Sequence, residues 1–391
     1  MRIGINTLFL VPGDVGGTEV YLRETIKAMA AELADKDDTL VLFTNKENDQ
    51  LLRTELTALP QVEFQQIPCK AAVRPLRILA EQFLLPCAAR KAGVDVLWSP
   101  GYTAPAICFS PQAVTVCDLQ YKSHPQDMGW LERTVLDILV RTACRRCQSV
   151  LTISEFSRQE VINYGFAPPE KVHAVLLGVN NNFAKNRLAA AQAEQILRRL
   201  HVRPPFLLCV AHSYPHKNID KLIDAFALLQ DKMPHQLVLV GKGRRGEEAV
   251  KQSLLKIRSS ERVLRLHGLT EEELRTLYQA AAVFVLPSSY EGFGLPVLEA
   301  LLAGLPAVTV KAASLPEVGG VAAFYADAPE PALLADKIKA VLHLPEDLRR
   351  CRAEQGRAWA ETFTWQRTAV QTLHILRLTR RTELSIGEYE S

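Results

Sequence analysis

Short runs rich in β-branched residues alternate with longer segments of helical period along almost the whole chain, and this alternation decides the fold class. Residues 2–6, 39–44, 94–99, 113–117, 149–153 and 172–176 read as strands. Between the first two, residues 18–36 read as a helix with Val20, Ile26, Met29, Ala30 and Leu33 along one face. The pattern loosens after residue 178 and restarts with strands at 206–210, 236–240, 263–267, 283–287 and 307–310, each followed by a loop and a helix. Strands joined through helices are parallel strands, because the return to the starting edge needs a crossover that packs onto the sheet.

The expected architecture is therefore α/β, with two Rossmann-like, doubly wound parallel-sheet domains facing across a cleft. Residues 1–178 form the first and 205–362 the second, with a linker region at 179–204. Residues 363–391 are expected to supply a C-terminal helix that returns to the first domain, followed by a tail. The length of 391 residues agrees with two domains at about 150 residues each. In open α/β sheets ligands bind beyond the carboxyl ends of the strands, so functional residues are sought on the loops that follow them.

Composition removes several classes. A chain with 48% hydrophobic and 23% charged residues is neither disordered nor fibrous. A net charge of +3 gives no reason to expect a nucleic-acid partner. The eight cysteines are scattered rather than spaced as a disulfide scaffold, which fits a reduced, cytoplasmic setting. No apolar run reaches the ~18–20 residues of a spanning helix, and the opening MRIGINTLFLVPG reads as a buried strand rather than a signal peptide.

The most informative segment is SSYEGFGLPVLEALLAG, residues 288–304, directly after an expected strand. Pro296 suits the first helical position and Gly304 the stop, so a glycine-bracketed loop runs into a helix N-terminus. Free backbone N–H groups there, with Gly292 and Gly294 allowing close approach, suit phosphate or polyhydroxyl groups. Glu291 lies in the loop and Glu299 in the expected first turn, two carboxylates able to accept from vicinal hydroxyls. Without further context a dipole-favoured glutamate and a solvated one explain the pair equally well.

The run HGLTEEELRTLYQAAAVFVLPSSYEGFGLPVLEALLAGLPAVTVKAASLPEV, residues 267–318, resembles the donor-sugar nucleotide region of glycosyltransferase family four, a group of retaining enzymes with the GT-B fold. Two glutamates separated by seven residues around GFGLP are specific in that setting. The resemblance implies that Glu291 lies by the hydroxyls of a donor hexose and Glu299 by the ribose. The backbone of Gly292, Phe293, Gly294 and Leu295 would hold the sugar and distal phosphate.

AHSYPHKNIDKLIDAF, residues 211–226, is similar to the family's diphosphate-binding turn. Lys217 stands at its lysine, and His216 where the family often has arginine. In the first half, Gly16 and Gly17 of GDVGGTEVY resemble the loop near the donor phosphates; the spacing differs from the dinucleotide G-x-G-x-x-G. AVTVCDLQYKSHP, residues 113–125, resembles a strand–loop in which Asp118 matches the aspartate of a His–Asp pair. Cys117 occupies the place where histidine is usual. TISEFSR, residues 152–158, resembles the next strand-to-helix turn, with Ser154 at its N-cap.

Two other patterns have simpler explanations. The Asp-x-Asp at Asp35–Asp37 reads as a solvated acidic turn at a helix end, and Cys144–Cys147 as part of a helix rather than a zinc site. Residues 70–91 carry Lys70, Arg74, Arg77, Arg90 and Lys91 against Glu81, interleaved with apolar residues. They read either as an ordinary amphipathic surface helix kinked at Pro86 or as a peripheral contact with an anionic membrane face.

The resemblance implies a hexosyltransferase acting on a nucleotide diphosphate sugar, with GDP-mannose favoured, and on a glycan or lipid-linked glycan hydroxyl in polysaccharide biosynthesis. It implies no metal and no further cofactor. Lys217, Glu291 and Asp118 are the expected catalytic residues. An epimerase of the same fold, and a silent sugar-nucleotide-binding subunit motivated by Cys117 and His216, are the alternatives.

Overall fold

The computed structural model describes residues 1–14, 16–34, 36–184, 188–258 and 260–387. Asp35 lies outside them. The chain divides into two compact units, one made of Met1–Ser123, Met128–Gly178 and the segment from Thr364 onward, the other of His124–Asp127 and Val179–Phe363.

The first unit is built on a seven-stranded sheet. Its strands are β1 (Arg2–Asn6), β2 (Thr39–Thr44), β3 (Val62–Gln66), β4 (Val96–Ser99), β5 (Gln112–Val116), β6 (Ser149–Thr152) and β7 (Val172–Ala174), in the order β3-β2-β1-β4-β5-β6-β7. Every neighbouring pair is parallel. β4 (VLWS) and β5 (QAVTV) are buried along their whole length, as strands covered on both faces must be. β3 (VEFQQ) is an edge strand with no fully buried residue, so its composition carries little strand signal.

The second unit has a six-stranded, wholly parallel sheet in the order β10-β9-β8-β11-β12-β13. The strands are β8 (Phe206–Val210), β9 (Gln236–Val240), β10 (Val263–Leu266), β11 (Val283–Leu286), β12 (Ala307–Val310) and β13 (Phe324–Ala326). In each sheet the order reverses beside the first strand, between β1 and β4 and between β8 and β11. These are the switch points where open sheets leave a crevice. Residues 179–204 group with this unit rather than standing apart as a linker. The helix Ala190–Arg199 within them packs on Glu271–Ala280, and Arg199 pairs with Glu273 at 2.8 Å.

Three helical segments differ from expectation. The helix after β1 spans Gly17–Glu32, ending a turn earlier than the periodicity suggests. Residues 74–91 are not one α-helix: Arg74–Leu79 and Leu85–Lys91 are α-helical, and Ala80–Leu84 between them forms a π turn. The wide turn lies just ahead of Pro86, whose missing N–H and bulky ring disrupt an ordinary α ladder. Cys144 and Cys147 are buried in the core beside β5 and β6, Cys144 within the helix Trp130–Arg146 and Cys147 just past its end.

The helix Trp365–Gly387 packs along Gly17–Glu32. Thr368 Oγ1 donates to Leu176 O at 2.7 Å, and Arg377 reaches Asp38 at 2.9 Å, where the N-terminal ammonium also binds at 2.6 Å. No helix among the described residues is long and apolar enough to cross a membrane.

Where this helix begins, the backbone approaches itself closely. A Cβ on Gly178 would lie 2.2 Å from Trp365 N and 2.5 Å from Thr364 C. Both neighbours are backbone and cannot rotate away. Gly178→Ala is expected to lower unfolding stability by about 1–3 kcal/mol, the range for overpacked sites, read as a lower urea midpoint at unchanged slope. An unchanged midpoint would show that the two segments separate at no cost.

Candidate functional site

In the second unit the loops following β8, β11 and β12 emerge side by side at the switch point. The loop after β8 tightens into the 3-10 turn Pro215–Lys217 and enters the helix Ile219–Leu229 through Asn218, which sits in the left-handed region at φ 51°. Asn218 Nδ2 donates to His216 O at 3.1 Å and to Pro287 O, just past β11, at 2.9 Å. Ser289 returns the link, its N–H donating to His216 O at 2.9 Å and its hydroxyl at 3.1 Å. The two loops are thus held together by a buried amide and a partly buried serine.

The β11 loop is also held from its other side. Ser314, fully buried after β12, donates its hydroxyl to Glu291 O at 2.8 Å and Phe293 O at 2.7 Å. Phe293 packs edge-on against Phe363 with centroids 6.1 Å apart. Gly294 then turns the chain at φ 107°, a value that strongly favours glycine, and the helix Leu295–Leu302 begins. This start makes Glu299 the fifth helical residue, in the second turn rather than the first. The helix dipole therefore does not account for it.

These constraints bring the Lys217 ammonium 2.7 Å from Glu291 Oε2, with both side chains more than four-fifths buried. Glu299 has a different partner: the hydroxyl of fully buried Tyr278 donates to its Oε2 at 2.7 Å. Burial pushes the Glu299 carboxyl up to about 7, against the pull of that hydrogen bond. Phe183 and Phe284 pack on Tyr278 at 5.2 and 5.6 Å and fix the ring.

His216 is also buried. Its Nδ1 lies 2.7 Å from Asp127 Oδ2 and its ring stacks on Tyr214 at 5.7 Å. Burial and the neighbouring Lys217 hold its pKa well below the ordinary histidine value despite Asp127, so the imidazole is uncharged at pH 7. It cannot replace the positive charge of an arginine. Arg245, from the β9 loop, bonds the Asp127 carbonyl.

The candidates of the first unit gather at the corresponding edge of its own sheet. Gly16 and Gly17 open the helix Gly17–Glu32, and Asp118 follows β5. Asp118 Oδ2 accepts from the Tyr102 hydroxyl at 3.0 Å and Oδ1 from Gln120 N at 3.1 Å. Cys117 is buried, and burial with Asp118 beside it raises its thiol far above the ordinary value. Thr18, beside the glycine loop, and Tyr102 lie close to the thiol and pull against that shift. Ser154 caps its helix by accepting from Ser157 N at 3.0 Å.

Sequence reasoning did not single out Tyr278, Ser314 or Asp127. Their partners lie 21, 23 and 89 residues away, and no local pattern marks a side chain whose role is to hold a distant one.

Residues 15–183 match the model of "Glycosyltransferase Family 4" and residues 193–359 that of "Glycosyl transferases group 1". O-antigen chain mannosyltransferase B of Escherichia coli is 30% identical over 259 residues, 65% of this chain and 66% of that one. MMP alpha-(1->4)-mannosyltransferase of Mycolicibacterium hassiacum is 30% identical over 239 residues, 60% of this chain and 55% of that one. The alignments thus cover just under two thirds and just over half of these relatives. The Anabaena Alr3699/HepE structure, solved with UDP and glucose, superposes with a TM-score of 0.74 at 22% identity, covering 96% of this chain and 99% of that one. Strand order and superposition define the GT-B fold. The chain belongs to glycosyltransferase family 4, among the group 1 glycosyl transferases.

The Glu299 carboxyl makes a measurable contribution to stability. Its folded pKa, about 7, lies above its ordinary value of 4.5, so the folded state binds the extra proton and stability falls as pH rises through that window. Glu299→Gln removes this titration. Between pH 5 and pH 8 the variant should gain about 1–3 kcal/mol relative to the parent, measured by urea unfolding at both values. A pH-independent difference would place the carboxyl's titration outside the window.

Proposed function

We propose that the protein transfers a hexose, mannose in the favoured reading, from a nucleotide diphosphate sugar to a hydroxyl of a glycan or lipid-linked glycan, with retention at the anomeric carbon. The carrying observation is the Lys217–Glu291 pair at the β8/β11 switch point, seated beside the helix start at Gly294. Both named relatives are mannosyltransferases, one of them for O-antigen chains, which supports mannose as the sugar and a polysaccharide as the acceptor.

In this reading Lys217 meets the charge developing on the departing diphosphate, aided by the backbone N–H groups at the start of Leu295–Leu302. No metal is needed for that charge. Glu291, held by its ion pair, accepts from the hexose hydroxyls, and the Gly292–Leu295 backbone cradles sugar and distal phosphate. Glu299 accepts from the ribose. The Ser288 hydroxyl, buried with no hydrogen-bond partner among the described residues, is a further group available to a ligand. In the first unit Gly16 and Gly17 serve the phosphates, and Asp118, fixed by Tyr102, serves the donor sugar. His216 acts as a neutral spacer.

Neither glutamate is assigned as a nucleophile, since Glu291 is committed to Lys217. The reaction then proceeds on one face of the sugar. The bond from the anomeric carbon to phosphate breaks, the acceptor oxygen bonds to the same face, and the acceptor proton passes to the leaving phosphate.

Thermal unfolding with GDP, UDP and ADP, each with and without chelator, identifies the base. A ligand at 100 times its Kd adds ~2.7 kcal/mol, and GDP is expected to give the shift in either condition. Lys217→Ala should cut kcat for transfer from GDP-mannose by about 10²–10³. Glu299→Ala should chiefly weaken GDP binding, and Glu291→Ala chiefly slow turnover. Equal losses of plain GDP affinity in both glutamate variants would overturn the assigned roles, and an inverted anomer in the product would overturn retention.

A further inference from the structure

We infer that the first unit carries a docking face for an anionic lipid surface, built on the helical run from Arg74 to Lys91. Val73, Leu76, Leu79 and Phe83, spaced by three, three and four residues, form an outward stripe, with Phe83 67% exposed. The π turn sorts its own residues: Phe83 and Leu84 face out, while Glu81 is buried. The Glu81 carboxyl accepts from Asn6 Nδ2 at 3.1 Å and from the Thr103 hydroxyl at 2.9 Å, anchoring the helix to the end of β1 and to the loop after β4.

Two neighbouring elements extend the stripe. Gln82 donates to Ala104 O at 3.1 Å and accepts from Ala106 N at 2.8 Å, which sets Ile107, 77% exposed, beside the helix. The guanidinium of Arg90 lies 4.5 Å over the ring of half-exposed Phe109. At the other end Arg74 pairs with Glu132 in the first turn of Trp130–Arg146, where Trp130 and Leu131 stand exposed. That helix carries the apolar line onward through Val135 and Ile138.

Charge selects the occupant. Arg90 and Lys91 are exposed beside the stripe, Glu81 is the sole carboxylate in residues 64–94, and on the neighbouring helix Glu132 is paired with Arg74 and Asp137 with Lys122 and Arg141. An apolar face of aromatic and aliphatic residues rimmed by cations suits the boundary between anionic headgroups and acyl chains. A second copy is a poor occupant. Two-fold apposition would set Arg90 and Lys91 against themselves with no exposed acid in residues 64–94 to relieve them. The inference concerns the first unit alone and stands whatever the donor proves to be.

Co-sedimentation of the full chain with phosphatidylcholine vesicles, with and without phosphatidylglycerol, tests it. Binding is expected to the anionic vesicles, to weaken with salt, and to be slight on phosphatidylcholine alone. Arg90→Glu with Lys91→Glu should weaken binding about fivefold or more per reversed charge, and Leu76→Ser with Phe83→Ser should reduce it by at least as much. Arg198→Glu, on the second unit, should leave it unchanged. Thermal unfolding of each variant confirms the fold. No binding to anionic vesicles, equal binding to neutral ones, insensitivity to both double variants, or a vesicle-free dimer that Phe83→Ser dissociates would each overturn the proposal.

Discussion

Every strand pairing in both sheets is parallel, and parallel neighbours must be joined by a connection that travels the length of the sheet and returns. All loops that follow strands therefore leave at one edge, and all loops that precede them leave at the other. The residues proposed to act sit on the first kind: Lys217 after β8, Glu291 after β11, Asp118 after β5, and the backbone of Gly16 and Gly17 after β1. The order of strands completes the arrangement. Because β11 pairs with β8, residues 217 and 291 can meet across two adjacent loops, and a different order would leave them on loops that never touch.

Around that edge four ionisable groups are controlled by three different means. Lys217 and Glu291 satisfy each other, so neither charge is stranded in a mostly buried position. Among the described residues the Glu299 carboxylate has a neutral phenol as its one partner, and its proton is held to about neutrality. His216 has a carboxylate neighbour and yet stays uncharged, because burial and Lys217 outweigh Asp127. The site so combines a neutralised pair, a carboxyl poised near neutrality and an imidazole kept silent.

How much of this was legible follows from the range of the forces involved. Strands such as FLLCV and QLVLV are buried on both faces, so hydrophobicity alone marks them, and β1, β2, β8, β9 and β12 fall where the pattern places them. β3 mixes Glu63, Gln65 and Gln66 with Val62 and Phe64 because an edge strand keeps one side in water. The GFGLP turn was readable because glycine and proline encode backbone angles directly. The π turn was not, since it arises from a conflict between Pro86 and the helix that precedes it. Nor was the Ser314 hydroxyl that grips the same turn: its effect depends on β12 lying beside β11, a fact of topology rather than of local pattern.

The chain enters the second unit at Val179 and leaves it at Phe363, where the Val179 amide donates to the Phe363 carbonyl at 3.1 Å. In connectivity the second unit is thus largely an insertion within the first, whose outer layer is completed by the helix starting at Trp365. During synthesis from the N-terminus, residues 179–363 have all emerged before that helix exists. The second unit can close around its own core while the first still lacks the helix that packs along Gly17–Glu32 and anchors Asp38. The unit begun first is the one finished last, and until its final helix arrives a strip of its apolar surface is left to solvent or to a chaperone.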